Sequence, residues 1–79
     1  MHEVQIYSRS NCHLCAIALE TLVELQKELN FTITKVFIDG NPELEAKYGE
    51  QVPVILINNQ QHDFFRVDPE RFRSAFSKL

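Results

Sequence analysis

Apolar residues recur along the chain with two different spacings, and these spacings predict the order of its elements. Short runs rich in β-branched and aromatic residues are typical of strands. Longer segments with apolar residues three and four positions apart are typical of amphipathic helices. The strand pattern occurs at 4–7, 31–38, 54–57 and 62–66. The helix pattern occurs at about 15–29, at 42–48 and from 69 onward.

Residues that favour helix ends support these boundaries. Asn41-Pro42 and Asp68-Pro69 each place a capping side chain before a proline at the first helical position. Asn30 is expected to end the first helix in a left-handed conformation, and Gly49 to end the second. The last helix is predicted to have one apolar face, formed by Phe72, Ala75, Phe76 and Leu79.

The predicted order, β-α-β, a short α, then β-β-α, defines an α/β fold. The first two strands are joined by a helix, so they should be parallel with a right-handed connection. The last two are joined by a turn at 58–61 and should form an antiparallel hairpin. A four-stranded mixed sheet with helices on both faces satisfies these conditions. The 79 residues leave no room for a second core, so we expect one domain spanning 1–79.

Composition excludes several classes of partner. The chain is 44% hydrophobic and 24% charged with a net charge of −3, and it has no basic stripe of the kind that nucleic-acid binding requires. No apolar run approaches the roughly 18 residues of a membrane span. The first residues lack the basic and apolar regions of a signal peptide. We therefore expect a cytoplasmic monomer that binds neither nucleic acid nor membrane.

The chemistry of the chain is predicted to lie in Cys12 and Cys15, its two cysteines. A Cys-x-x-Cys pair beside a strand–helix–strand pattern is typical of thioredoxin-like redox sites. Unpaired N–H groups and the helix dipole should stabilise a Cys12 thiolate, lowering its pKa from about 8.5 into a range of about 3.5–7.5. Cys15 begins the apolar series of the helix and should point inward. We therefore expect Cys12 to attack a disulfide and Cys15 to resolve the mixed disulfide.

Other interpretations of the cysteines remain open at this stage. The two thiols could be buried neighbours with no reactivity. Zinc usually takes four protein ligands, but there is no third cysteine and His2 and His62 are far apart in sequence. An iron–sulfur cluster shared between two chains is a further alternative, and it predicts dimerisation. We expect no metal.

Residues near the pair are candidates for substrate binding. A cationic His13 would stabilise the Cys12 thiolate, or it is an exposed helix residue without influence. Arg9 could add positive potential or hold a substrate carboxylate, or it is unpaired at the surface. Pro53 is tolerated at the start of a buried strand. Alternatively, Val52-Pro53 is a cis peptide that packs against the dithiol and leaves the Val52 backbone free to pair with an incoming peptide.

The site resembles that of the glutaredoxins, within the thioredoxin superfamily. Their motif, Tyr-Ser-Lys-Pro-x-Cys-Pro-Tyr-Cys followed later by Thr-Val-Pro, is similar to the segments 7–15 and 51–53 here. The Cys-His-Leu-Cys site and the segment 67–71, Val-Asp-Pro-Glu-Arg, are most similar to small bacterial glutaredoxin-like proteins. The resemblance implies a thioredoxin fold, a cis Pro53, Cys12 as the nucleophile and Cys15 as the resolving residue.

The chain also departs from the glutaredoxin pattern. Glutaredoxins hold the γ-glutamyl end of glutathione with a Gly-Gly turn and an acidic pair. Here the corresponding segment 63–68 has no glycine, its bulky side chains would obstruct a close backbone approach, and Asp68 is also a helix cap. The motif lysine is Arg9, and the motif threonine is Gln51. We therefore expect no bound cofactor, with glutathione a doubtful reductant.

The sequence thus predicts a thiol–disulfide oxidoreductase acting on a disulfide-containing protein or a small thiol. A non-catalytic redox sensor, or a protein-binding module with the same fold, is the alternative. Exposure of Phe64 or Phe65 near the site would indicate a surface for protein partners, whereas burial would place them in the core.

Overall fold

Four strands and three helices follow one another in the predicted order in the computed structural model, which describes residues 2–79. The strands are β1 (His2–Ser8), β2 (Phe31–Phe37), β3 (Val54–Ile57) and β4 (Gln60–Phe64). The helices are α1 (His13–Gln26), α2 (Pro42–Tyr48) and α3 (Pro69–Ser77).

The strands form a single mixed sheet in the order β2-β1-β3-β4. β1 and β2 are parallel, in a register that runs from His2 opposite Phe31 to Ser8 opposite Phe37. β3 is antiparallel to both β1 and β4. The predicted fold class is confirmed, and the parallel pairing brings the carboxyl ends of β1 and β2 to the same edge of the sheet.

Each face of the sheet is covered by helix. α1 and α3 pack on the face that contains Val4, Ile6 and Ile55, and Phe72 of α3 is fully buried there. α2 covers the opposite face, where its Tyr48 packs with Val54 and stacks on Tyr7 with ring centroids 4.8 Å apart. None of the helices within residues 2–79 is long and apolar enough to span a membrane.

The β3–β4 hairpin is tighter than the sequence pattern predicts. Asn58 and Asn59 both have positive φ, 50° and 68°, as the two central residues of a type I′ turn require. Asn58 also accepts a hydrogen bond from the Glu3 N–H through Oδ1 at 2.9 Å. β4 therefore spans Gln60–Phe64, and the predicted bounds of 62–66 are wrong by two residues at each end.

Three predicted features near helix ends also differ from the structure. α1 ends at Gln26, sooner than the predicted Leu29, and Asn30 is not left-handed. Gly49 ends α2 as predicted, but in a right-handed conformation with φ −52°. Leu79 lies beyond α3 and is exposed, so it does not belong to the apolar face of that helix. Both capping residues, Asn41 and Asp68, are confirmed.

His62 makes the stability of this fold dependent on pH. Its ring lies edge-on to Phe72, with centroids 5.7 Å apart. Burial lowers the pKa of His62, and the positive charge of Arg71 lowers it further, against the opposing effects of Asp63 and Asp68. The unfolded chain therefore binds a proton in a pH range where the folded protein leaves His62 neutral. Stability is lost as pH falls from about 7 toward the lowered pKa.

Replacing His62 should weaken this pH dependence. Urea unfolding between pH 7.5 and 5.5 is expected to show the wild-type midpoint falling with pH, with a slope contributed by His62 of at most about 1.4 kcal/mol per pH unit. In His62→Gln the same scan should be flatter. The window lies above the ordinary range of carboxylates, so the titration of carboxylates contributes little to it. Equal slopes in the two proteins would show that His62 is not the titrating group.

Candidate active site

Cys12 and Cys15 lie at the junction of the β1–α1 loop and α1 and are joined by a disulfide, with Cα atoms 5.2 Å apart. Cys12 is the N-cap residue, with an extended backbone at φ −99° and ψ 107°. Its Sγ accepts a hydrogen bond from the Cys15 N–H at 3.2 Å. The sulfur of Cys12 therefore occupies the position that an N-capping oxygen usually takes, where helix N–H groups favour negative charge.

The charges around the pair also favour a Cys12 thiolate. The first turn of α1 has no acidic residue. A cleft of about 600 Å³ opens beside the disulfide, and the charged or titratable side chains that line it besides the two cysteines are Arg9, His13 and Lys35. No carboxylate is among the residues of 2–79 that line this cleft, so its lining side chains are positively charged or neutral. An opposite charge nearby stabilises the thiolate relative to the thiol.

The two cysteines differ in their exposure to solvent. Cys15 is 5% exposed and packs in an apolar cluster with Ile38, Tyr48 and Val52. Cys12 is half-buried at the edge of the same cluster. Only Cys12 is thus placed to meet a large substrate first. The predicted inward position of Cys15 is confirmed, and the roles of the two cysteines stay predictions.

The loop before Cys12 is hydrogen-bonded to the residues that follow β2. The Ile38 N–H donates to the Ser8 carbonyl at 2.8 Å. The Ser10 N–H donates to both carboxylate oxygens of Asp39, at 3.1 and 3.2 Å. Hydrogen bonds from Ser10, with a smaller effect of the Arg9 charge, hold the pKa of Asp39 below its ordinary value. Asp39 therefore stays ionised and fixes the loop that presents Cys12.

Val52-Pro53 forms a cis peptide beside the cysteines, as the resemblance implies. Val52 packs in the apolar cluster that contains Cys15, and Pro53 is fully buried. Within residues 2–79, no hydrogen bond uses the N–H or the carbonyl of Val52, whereas the Phe65 N–H donates to the carbonyls of Gln51 and Pro53. The Val52 backbone therefore has no internal partner to compete with an incoming peptide.

Phe64 and Phe65 lie in the segment 63–68, and both side chains are exposed. Their rings meet edge to face, with centroids 4.9 Å apart. Phe65 has φ 70°, a conformation that a bulky residue rarely adopts, and the two hydrogen bonds of its N–H hold it there. Asp68 caps α3 by accepting from the N–H groups of Glu70 and Arg71. The segment thus presents two exposed aromatic rings beside the Val52-Pro53 peptide.

The other two predicted site residues, Arg9 and His13, are exposed and line the same cleft as the cysteines. The Arg9 guanidinium reaches toward the end of α2, 3.7 Å from the position that a Cβ at Gly49 would take. Neither side chain makes a hydrogen bond or ion pair within residues 2–79. Both remain available to a substrate.

The sequence interpretation missed several residues of this site. Ser8, Lys35 and Phe37 line the cleft together with the cysteines. Ser8 and Phe37 are paired in the β1–β2 register. The parallel arrangement of these strands was predicted, and it already implied that the end of β2 lies beside the loop that contains Cys12. Separately, no group of three or more His, Cys, Asp or Glu side chains in residues 2–79 is arranged to hold a metal ion.

Comparison with known proteins identifies the family. Residues 3–77 match the model of the Glutaredoxin-like domain (DUF836), and the chain belongs to this family. An uncharacterized protein of Mycobacterium tuberculosis is 32% identical over 81 residues, which cover 96% of this chain and 84% of that protein. The X-ray structure of protein XcR50 from X. campestris superposes with a TM-score of 0.81 at 30% identity, covering 96% of this chain and 97% of that one.

Similarity to thioredoxins extends to the fold alone. Oxidized thioredoxin O2 from Arabidopsis thaliana superposes with a TM-score of 0.67 at 21% identity, over 100% of this chain and 75% of that one. The chain is therefore a member of the glutaredoxin-like domain family with a thioredoxin-like fold. Together with the Cys12–Cys15 disulfide, this fold indicates redox activity.

Proposed function

We propose that the protein is a thiol–disulfide oxidoreductase that exchanges disulfides with protein substrates. The observation that supports this most directly is the position of Cys12, whose half-buried sulfur caps α1 while Cys15 is buried behind it. A structural cross-link has no need for one half-buried cysteine at a helix N-terminus. A bridge closing so short a loop also adds little stability.

The reaction has two steps, starting from the reduced pair. The Cys12 thiolate attacks a substrate disulfide, so that a Cys12–substrate S–S bond forms, the substrate S–S bond breaks, and the released substrate thiolate takes up a proton. The Cys15 thiolate, having lost its proton, then attacks Cys12 Sγ, forming the Cys12–Cys15 disulfide and releasing the second substrate thiol. Two electrons pass from the pair to the substrate, and a dithiol reductant restores the pair. No bound cofactor is needed.

The surroundings of Val52 and Pro53 favour a peptide as substrate. The free backbone groups of Val52 can pair with an extended substrate segment. The exposed rings of Phe64 and Phe65, held beside this loop, suit apolar side chains of a protein. Glutathione lacks such side chains, and the glycines that would admit its γ-glutamyl end are absent. The proposal takes the protein to act as a cytoplasmic monomer, as its sequence predicts.

Reduction of insulin disulfides by dithiothreitol tests this function. The wild-type protein is expected to accelerate the reaction well above the uncatalysed rate, and Cys12→Ser to return it to that rate, because serine is not ionised at neutral pH. Wild type alkylated with iodoacetamide in the reduced state should be inactive. Wild type exposed to the same reagent as the disulfide should stay active, which controls for damage elsewhere. Persistent turnover by Cys12→Ser would rule out the proposed nucleophile.

A non-catalytic redox sensor is the second candidate, because Phe64 and Phe65 would serve a binding surface equally well. The sensor predicts a pair that equilibrates with dithiol buffers but does not accelerate insulin reduction. The same assay therefore separates the two functions.

A further inference from the structure

Ser8 is a buried polar residue next to the redox pair. It is the last residue of β1, and strand side chains alternate between the faces of the sheet. Val4 and Ile6 face α1, where they pack in one cluster with Ala18 and Leu22. Ser8 continues this series, so its side chain lies beneath the start of α1. It is 1% exposed.

The Ser8 hydroxyl has no hydrogen-bond partner within residues 2–79. A buried hydroxyl without a partner costs about 1–3 kcal/mol, and native proteins seldom contain one without a reason. Side-chain atoms of Gln5 and His62 are also buried without partners. Of these three residues, Ser8 alone lines the cleft beside Cys12 and Cys15.

We propose that Ser8 is a positioning residue for the resolving step, in which its O–H donates a hydrogen bond to Cys15 Sγ once the Cys12–Cys15 bond has opened. This deepens the proposed oxidoreductase function and rests on it. In the disulfide, Cys15 Sγ is bonded to Cys12 and is a weak acceptor. As a thiolate the same atom is a strong acceptor, and hydrogen bonds to charged groups are roughly twice as strong as neutral ones.

Ser8 fits this role better than the other polar residues of the cleft. Arg9, Ser10 and His13 are exposed, so water competes for their hydrogen bonds. Ser8 and Cys15 are both buried and share the wall of the cleft. A single neutral donor can stabilise the thiolate of Cys15 there without placing a second charge in the interior.

The resolving step balances with Ser8 unchanged. Cys15 loses its proton to solvent through the cleft, and Ser8 keeps its own proton while donating the hydrogen bond. Attack of Cys15 Sγ on Cys12 Sγ forms the disulfide and releases the substrate thiolate, which takes up a proton. The hydroxyl then returns to the unpartnered state seen in the oxidised structure.

The first test measures Cys15 alone, in a Cys12→Ala background. Thiolate absorbance at 240 nm is recorded at a pH where about a tenth of Cys15 is ionised in the protein with Ser8. Adding Ser8→Ala is expected to lower the thiolate fraction about tenfold, the effect of losing a charge-assisted hydrogen bond. Adding Ser74→Ala instead, which removes an exposed serine hydroxyl of α3 away from the cleft, should leave the fraction within twofold.

The second test measures the redox equilibrium of the intact pair against dithiothreitol buffers. At a pH where Cys15 of the reduced protein is mostly ionised, Ser8→Ala is expected to shift it toward the disulfide by up to about tenfold, which corresponds to about 30 mV, because only the reduced form with a Cys15 thiolate loses a hydrogen bond. Ser8→Thr keeps the hydroxyl and should remain near wild type. The oxidised form of Ser8→Ala should unfold at no lower temperature than wild type, whereas a merely structural hydroxyl would lower it.

Neither measurement depends on catalytic turnover, so the oxidoreductase function and the role of Ser8 can be refuted independently of each other. If wild type does not accelerate insulin reduction, the oxidoreductase function is lost but the Ser8 measurements still stand as equilibria. If turnover is present and Ser8→Ala leaves both the thiolate fraction and the redox equilibrium unchanged, the role of Ser8 is wrong. Equal shifts in Ser8→Ala and Ser8→Thr would assign the effect to packing and overturn it as well.

Discussion

A Cys15→Ser variant is expected to accumulate a mixed disulfide with a protein substrate, close to one equivalent per chain, whereas Cys12→Ser accumulates almost none. The half-buried sulfur of Cys12 lies at the N-terminus of α1 and can reach a substrate disulfide. Without Cys15, nothing in the chain supplies a second thiolate to release that substrate. The measurement is intact-protein mass spectrometry, after mixing the reduced variant with insulin and quenching with acid.

The two variants are matched controls for each other, since each has one cysteine and one serine in the same pair of positions. The difference between their yields of mixed disulfide therefore reports which position carries the thiol, and not how many thiols are present. A higher yield of mixed disulfide from Cys12→Ser would reverse the assigned roles. Equal yields would mean that the burial of Cys15 does not protect it, which contradicts the asymmetry of the site.

The sequence predicted the elements of this fold well where its pattern was local. Prolines after Asn41 and Asp68 marked two helix starts, and both caps are confirmed. The apolar series of α1 continues to Leu29, but the helix stops at Gln26. The predicted end was too late because the spacing of apolar side chains does not show where the backbone hydrogen bonds of a helix end. The hairpin bounds were wrong because the Asn58-Asn59 pair takes up positive φ at both positions, which leaves Gln60 in the strand.

The sequence predicted the position of the cysteine pair but only part of its surroundings. Cys12 and Cys15 stood out because their spacing and their place before an apolar helix are local features. Ser8, Lys35 and Phe37 depend on how the end of β2 meets the loop after β1. The packing of these two segments is a tertiary contact, which a local sequence pattern does not show. The burial of the Ser8 hydroxyl without a hydrogen-bond partner likewise has no signal in the sequence.

Phe72→Ala is expected to remove most of the stability of the protein. Phe72 is fully buried and is the largest of the completely enclosed side chains. Its ring contacts Phe31 and Phe76, with centroids 5.4 and 5.0 Å away. Truncating a core phenylalanine costs about 3–5 kcal/mol, of the same order as the total stability of a domain this small. Urea unfolding followed by circular dichroism should show the midpoint falling toward zero denaturant.

Phe37→Ala provides the matched control, because it makes the same chemical change at a residue that is 52% exposed on the edge strand β2. Its ring has one notable contact, the Lys35 ammonium 4.7 Å from the centroid, so the expected loss is less than about 1 kcal/mol. A difference of several kcal/mol between the free energies of unfolding of the two variants would show that the apolar side chains buried beneath α3 contribute most to stability. Similar losses in both would contradict this, because burial of Phe72 would then contribute no more than an exposed ring.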